Sequence, residues 1–220
     1  MGALLEREKR RGRKFLRWGP AGRRALAALE GKADPGLLLE QLNERIRKCR
    51  RCRLGFDRRQ AVPGEGPAPA GVMIVGEGPG EEEDQTGQPF VGPAGELLTR
   101  MLQAIELPRE RVFITNVIKC RPPENRNPEP GELQACFPFL KEQIRLVRPP
   151  LLVALGGFAA RTLTGSDRKI SELRGRSFSF EGRLVIPTYH PAYLLRSPEN
   201  KRPAWEDLKK IRRELDRLGA

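Results

Sequence analysis

Four side chains that could bind a ligand or take part in catalysis stand in turns or near the ends of apolar stretches. They are Glu77 in Gly76-Glu-Gly-Pro-Gly80, Phe90 in Gly87-Gln-Pro-Phe-Val-Gly92, Asn116 and His190. The carboxamide of Asn116 offers a donor and an acceptor together, which suits the N3–H and O4 of a pyrimidine edge. The ring of Phe90 can face a planar ligand, and His190 can donate to a negative charge that develops in a reaction. This combination predicts a pocket for a planar ligand that is neutral or transiently anionic.

Each of these residues also has an ordinary structural explanation. Asn116 could bond to a neighbouring loop, Phe90 could pack in the core, and a single histidine often has a structural role. Residues 76–80 could form a tight turn before an acidic helix N-terminus. They do not form a dinucleotide-binding loop, because the glycine spacing is wrong. The five carboxylates between positions 76 and 84 would also repel a pyrophosphate.

The four cysteines form a second constellation. Cys49 and Cys52 make a CxxC pair at the end of a predicted helix, and Cys120 and Cys136 follow singly. One close pair plus two distant thiols suits a site with four thiolate ligands, which could hold zinc or a [4Fe–4S] cluster. The spacing does not distinguish the two metals, and disulfides are a further alternative. Four protein ligands leave no open coordination position, so the role of such a site would be structural.

The elements that must position these side chains follow from hydrophobic periodicity. Short apolar or β-branched runs predict strands at residues 72–75, 112–118, 151–155 and 184–188. Amphipathic spacing predicts helices at 37–48, 94–105, 131–147, 158–163 and 204–218. Alternating strands and helices favour an α/β fold, a three-layer α/β/α sandwich with a central, mainly parallel four-stranded sheet. Such sheets bind ligands at the carboxyl ends of their strands, where Asn116 and His190 would meet.

The charge balance indicates a polyanionic partner. The chain has 220 residues, with 41 Lys and Arg against 28 Asp and Glu, so its formal net charge is +13. Nucleic acid fits this balance better than an anionic membrane does. No apolar run approaches the roughly 20 residues that span a bilayer. A generally Arg-rich proteome is the alternative explanation.

The charge is uneven along the chain. Residues 1–34 carry ten Lys and Arg against four Asp and Glu, which predicts a basic arm, partly helical or disordered, before a domain at 35–220. Residues 1–18 are charged throughout and lack the apolar segment of a secretory signal. We therefore expect a monomeric cytoplasmic protein that associates with the nucleoid.

Several segments together resemble family 4 of the uracil-DNA glycosylases. Residues 76–84, Gly-Glu-Gly-Pro-Gly-Glu-Glu-Glu-Asp, followed by Gly87-Gln-Pro-Phe-Val-Gly92, resemble the first motif of that family. Thr115-Asn-Val-Ile-Lys-Cys-Arg-Pro-Pro123 resembles the central motif, and His190-Pro-Ala-Tyr-Leu-Leu-Arg196 the second active-site motif. The resemblance extends from about residue 42 to residue 218. It implies a DNA repair hydrolase that removes uracil from single- or double-stranded DNA and leaves an abasic site.

The resemblance also implies roles for individual residues. Cys49, Cys52, Cys120 and Cys136 would hold a [4Fe–4S] cluster. Phe90 would stack on the flipped-out uracil, Asn116 would bind its edge, and His190 would stabilise the leaving uracil at O2. Glu77 and Gly78 would line the pocket, with the Glu77 carboxylate near the attacking water. The residues that could wedge into the gap left by the base are Tyr193, Leu194, Leu195 and Arg196.

The chain departs from the better-known family 1 enzymes at two positions. Gly78 stands where those enzymes have an aspartate that orients water, so Glu77 in this role is a hypothesis. Gly80 stands where they have a tyrosine that excludes thymine, and we expect Glu83 to help shape that wall.

Two other functions compete with a glycosylase. One is a nucleotide- or sugar-phosphate-binding α/β enzyme, which the acidic loop at 76–84 disfavours. The other is a basic DNA-binding module with a structural metal and a vestigial pocket. A protein that binds only the DNA backbone has no need for a cluster of Glu77, Phe90, Asn116 and His190, which disfavours this second alternative.

Overall fold

The computed structural model describes residues 34–219, so nearly all of the predicted basic arm lies outside it. Short apolar and β-branched segments form the strands, which are β1 (Val72–Gly76), β2 (Phe113–Asn116), β3 (Leu151–Leu155), β4 (Phe178–Phe180) and β5 (Arg183–Thr188). They make one five-stranded sheet with the order β2-β1-β3-β5-β4. The division into an arm and a domain remains a prediction.

Helices connect the strands. They are α1 (Pro35–Arg47), α2 (Leu54–Asp57), α3 (Glu81–Thr86), α4 (Pro93–Gln103), α5 (Pro130–Val147), α6 (Gly156–Thr164), α7 (Ile170–Leu173), α8 (Pro191–Arg196) and α9 (Lys201–Leu218). Short 3-10 helices lie at Arg109–Arg111, Pro123–Asn125 and Pro198–Asn200. Within residues 34–219, none of the helices has the length and apolar character required to span a membrane.

The pairing confirms the predicted, mainly parallel sheet. Strand β1 pairs in parallel with β2 and β3, and β3 pairs in parallel with β5. The sheet has one strand more than the four expected, because β4 adds to β5 in antiparallel register. Pro187 lies beyond the end of this β4 ladder, so its missing N–H leaves no gap in the pairing.

Side chains that alternate along the strands build a core on each side of the sheet. Met73 and Val75 of β1 belong to the core covered by α1, α5 and α6. Val72 and Ile74 belong to the opposite core, covered by α4, α8 and α9. The fold is therefore the predicted three-layer α/β/α sandwich.

The register brings the carboxyl ends of the parallel strands to one edge of the sheet. Gly76 at the end of β1 pairs with Asn116 at the end of β2. Leu155 at the end of β3 pairs with Thr188 at the end of β5, two residues before His190. Residues that follow these strands are consequently close in space although they are far apart in sequence.

Candidate active site

A cleft of about 510 Å³ lies at this carboxyl edge, within the range of about 300–1,000 Å³ common for small-molecule pockets. The structure brings into it most of the site residues expected from the sequence, namely Glu77, Gly78, Glu83, Phe90, Asn116, His190, Tyr193 and Arg196. Gly156 and Gly157, which follow β3, also line it. All four parallel strands therefore contribute to the cleft through their carboxyl ends.

The floor of the cleft is formed where Asn116 and Phe90 converge on Gly76. A Cβ atom added to Gly76 would lie 2.3 Å from Asn116 Oδ1 and 2.6 Å from Phe90 Cζ. Only a residue without a side chain fits between the carboxamide and the ring. The contact places a hydrogen-bonding group and an aromatic ring side by side, the arrangement expected for a planar polar ligand.

Asn116 is held by a buried polar network below the cleft. Asn116 is 2% exposed, and its Oδ1 has no hydrogen-bond partner among the described residues. Lys119 Nζ donates to the Asn116 carbonyl, to Thr115 Oγ1 and to Gln143 Oε1, each at 2.6 Å. The three acceptors satisfy all three ammonium protons, although burial lowers the Lys119 pKa to about 7. The network fixes the backbone of Asn116 and leaves its side-chain oxygen free to accept.

His190 is prepared to act as a neutral donor. Its Nδ1 accepts the backbone N–H of Ala192 at 3.1 Å, so the neutral ring carries its proton on Nε2. Burial, and secondarily the charge of Arg196, lowers the His190 pKa to about 4. The ring lies 5.6 Å, between centroids, from the ring of Phe90. At neutral pH the cleft is therefore lined by a histidine whose remaining donor is Nε2–H.

Glu77 supplies a carboxylate to the same cleft. Burial raises its pKa above the ordinary value of 4.5, while the charge of Arg161 opposes that shift. A carboxylate with a raised pKa is a better proton acceptor than one in water. Glu77 can consequently orient a water molecule or accept a proton from it.

Glu83 lines the cleft, but its carboxylate is engaged with backbone amides. Oε2 accepts the N–H of Gly80 at 2.9 Å. Oε1 accepts the N–H of Val91 at 3.0 Å. The side chain thereby ties the glycine-rich turn after β1 to the loop that carries Phe90. This bracing of two loops is its evident function in the fold.

The four residues on helix α8 that were considered as DNA wedges differ in their exposure. Tyr193 is 37% exposed and Leu195 is 40% exposed, whereas Leu194 is 1% exposed and packs in the core beneath α4 and α9. Arg196 is also exposed. Leu194 cannot enter DNA without leaving the core, so the structure narrows the candidates to Tyr193, Leu195 and Arg196.

The four cysteines line a single, mainly apolar cavity between α1, α2 and α5. All four are free thiols, so no disulfide forms. Within residues 34–219, no group of three or more His, Cys, Asp and Glu side chains is arranged to hold a single metal ion. Four sulfur donors around one cavity match the donor set of a structural thiolate site.

The surroundings of the thiols also suit an anionic thiolate cluster. Arg58 Nη1 donates to Cys120 Sγ at 2.8 Å, and Arg58 Nη2 donates to the Cys49 carbonyl at 3.0 Å. Burial raises the pKa of Cys136 to about 12. A thiolate at this position requires a bound cation to stabilise it.

Three residues that line or support the site were missed in the sequence. Tyr189 lines the cleft and contacts the ring of Tyr193 in a tilted arrangement, with ring centroids 5.1 Å apart. Its place between β5 and His190 was the available signal. For Lys119 the available signal was its charge directly after an apolar run, which indicates a buried polar network. Arg109, which donates to the carbonyls of Pro89 and Phe90, gave no signal, because these partners are distant in sequence.

Comparison with known proteins agrees with this geometry. A family model described as the uracil DNA glycosylase superfamily matches residues 63–209. The type-4 uracil-DNA glycosylase of Sulfurisphaera tokodaii is 45% identical over 183 residues, covering 79% of this chain and 83% of that protein. The type-4 enzyme of Thermotoga maritima is 45% identical over 186 residues, covering 83% of this chain and 97% of that protein. The type-4 enzyme of Saccharolobus solfataricus is 42% identical, with 80% and 86% covered.

Proposed function

The chain belongs to the uracil DNA glycosylase superfamily, and we propose that it hydrolyses the N-glycosidic bond of uracil in DNA. The observation that carries this proposal is the convergence of Phe90, Asn116 and His190 on one cleft at the carboxyl edge of the sheet. Its relatives named above are type-4 enzymes of this activity. The product is DNA with an abasic site, the starting point of base excision repair.

The reaction requires that the uracil leave the base stack, because its glycosidic bond is out of reach inside a duplex. Phe90 stacks on the extruded ring. Asn116 binds the pyrimidine edge, where its unpaired Oδ1 accepts the N3–H. A ring that contacts Phe90 would then lie next to His190, since the Phe90 and His190 rings are 5.6 Å apart.

As the C1′–N1 bond breaks, its electron pair goes to uracil and the sugar acquires positive charge. Nε2–H of neutral His190 donates to uracil O2, where negative charge develops. A donor fixed in advance at such a site contributes on the order of 100- to 1000-fold in rate. Water then bonds to C1′, and Glu77 orients that water and accepts its proton.

We propose that the four cysteines hold a [4Fe–4S] cluster. The ligands are Cys49, Cys52, Cys120 and Cys136, and Arg58 lies against one of them. The cluster would supply structural cross-linking between α1, α5 and the segment after β2. It takes no part in the steps of hydrolysis.

The DNA itself is expected to contact the exposed face of α8. Tyr193 and Arg196 line the cleft, and Leu195 is exposed on the same helix. One of the three would fill the gap that the flipped base leaves. We propose that a monomer acts in the cytoplasm on nucleoid DNA, with either one or two strands.

An excision assay tests the function. Anaerobically purified protein is incubated with a labelled oligonucleotide that contains one uracil, and abasic sites are then cleaved with alkali. We expect cleavage at uracil and none in matched oligonucleotides with thymine or cytosine. Binding of DNA without cleavage, by protein loaded with its cluster, would instead support the vestigial-pocket alternative.

A further inference from the structure

The backbone at Phe90 has a conformation that needs external support. Its φ angle is +54°, in the left-handed region that bulky side chains rarely adopt. Such strain persists only where the surrounding contacts hold it in place. The ring position in the cleft therefore depends on what holds residues 89–92.

Arg109 holds one side of this loop. Its Nη1 donates to the Phe90 carbonyl at 3.0 Å, and its Nη2 donates to the Pro89 carbonyl at 2.5 Å. The planar guanidinium thus reaches two successive carbonyls around the strained residue, which a single ammonium group cannot match. Glu83 holds the amide side of the same loop through Val91. Arg109 is not among the residues that line the cleft.

Glu65 holds the Arg109 guanidinium in place. Its Oε1 accepts from Arg109 Nη2 at 2.6 Å and from Nε at 3.1 Å. The Glu65 backbone exchanges two hydrogen bonds with Ile114 of β2, at 3.0 and 2.8 Å. Ile114 lies two residues before Asn116. The pair therefore ties the Phe90 loop to the strand that carries Asn116.

We propose that Arg109, oriented by Glu65, is a positioning residue that holds the Phe90 ring in register with Asn116 and His190. The assignment rests on the proposed uracil excision. Arg109 acts only through the Phe90 loop. Its loss should therefore affect catalysis when the ring is present and have little effect when the ring is absent.

A double-mutant cycle tests this dependence. Arg109→Met, Arg109→Lys and Glu65→Gln are each made with Phe90 intact and in a Phe90→Ala background. Single-turnover uracil excision is measured at a temperature at which circular dichroism shows every variant folded, and melting temperatures are recorded alongside. The control is Arg45→Met, which removes a comparable 2.7 Å ion pair with Glu142 on the far helices α1 and α5.

With Phe90 present, Arg109→Met should lower the rate about 10- to 100-fold, the scale expected for a misplaced binding group. With Phe90→Ala, the same change should lower it less than about 3-fold. Arg109→Lys should fall between wild type and Arg109→Met, because lysine reaches one carbonyl at a time. Arg45→Met should leave the rate unchanged. The melting temperature should fall equally in both backgrounds.

Two results would overturn the assignment: an unchanged rate in Arg109→Met, or an equal fold-loss with and without the Phe90 ring. If Arg109→Met does not fold, the Glu65→Gln cycle decides in the same way. Its expected loss is about 3- to 10-fold and should disappear in the Phe90→Ala background. Wild-type protein that excises no uracil would overturn the proposed function and this assignment together, whereas normal excision by Arg109→Met overturns the assignment alone.

Discussion

The backbone N–H of Ala192 donates to Nδ1 of His190 at 3.1 Å. This local bond, made within the first turn of α8, determines which nitrogen of the ring carries the proton. Nε2–H remains as the donor, and burial keeps the ring neutral by lowering its pKa to about 4. In the proposed reaction, this neutral donor would stabilise uracil O2 as negative charge develops there.

The ionisation state of His190 can be observed directly, because it is the single histidine of the chain. We expect ¹⁵N NMR of labelled protein to show a neutral ring with the proton on Nε2 from about pH 5 to pH 8. A folded pKa below the unfolded value also means that stability decreases as pH falls below about 6.5. A ring that titrates near pH 6.5, or that carries its proton on Nδ1, would contradict the proposed donor.

We expect the loss of activity at acidic pH, the acidic limb of the activity profile, to follow the protonation of Glu77. Its pKa is raised above 4.5 by burial, and the ionised form is needed to hold water, so the rate should fall as pH drops through this raised value. Glu77→Gln should lower the single-turnover rate about 100-fold or more at pH 8 and should abolish the acidic limb. His190→Ala should keep the limb at a lower rate. Undiminished activity in Glu77→Gln would exclude the role given to Glu77.

Gly76 should tolerate no side chain. In Gly76→Ala the new methyl would lie 2.3 Å from Asn116 Oδ1 and 2.6 Å from Phe90 Cζ, so both groups must move. We expect an activity loss on the order of 100-fold in a protein that still folds. The matched control is Gly131→Ala on α5, whose added Cβ meets nothing within 4 Å. That variant should keep full activity and gain slightly in stability.

Removal of one cysteine should disrupt the proposed cluster and destabilise the fold. Cys136→Ser is expected to lose iron and the visible absorption that dithionite bleaches, and to lower the melting temperature by on the order of 10 °C. Metal analysis of the wild-type protein should find iron. Colourless wild-type protein that contains zinc would contradict the cluster assignment.

The general location of the site could be predicted from the sequence. Asn116 lies near the end of one predicted strand and His190 follows another, and parallel strands bring their carboxyl ends together. The contact between Asn116 and Gly76 could not be predicted, because it depends on the register of β1 and β2. The strained backbone of Phe90 could not be predicted either, because the hydrogen bonds that hold its loop come from Glu83 and Arg109, which lie on other elements.

Short elements were the least predictable. Strand β4 has three residues with Ser179 exposed between two partly buried phenylalanines, too short a pattern for period-two alternation to stand out. Helix α8 was not predicted either. In this helix Leu194 faces the core and Leu195 faces outward. Because the helix was not predicted, nothing in the sequence distinguished the four wedge candidates.

The most direct test of the central claim compares uracil excision and DNA binding in the same variants. Single-turnover excision and equilibrium binding of uracil-containing DNA are measured for wild type, His190→Ala, Asn116→Ala and Phe90→Ala. We expect wild-type protein to excise uracil. Each variant should bind DNA but lose activity, with His190→Ala slower on the order of 100- to 1000-fold. Variants that excise uracil at the wild-type rate would show that the chemistry does not take place in this cleft.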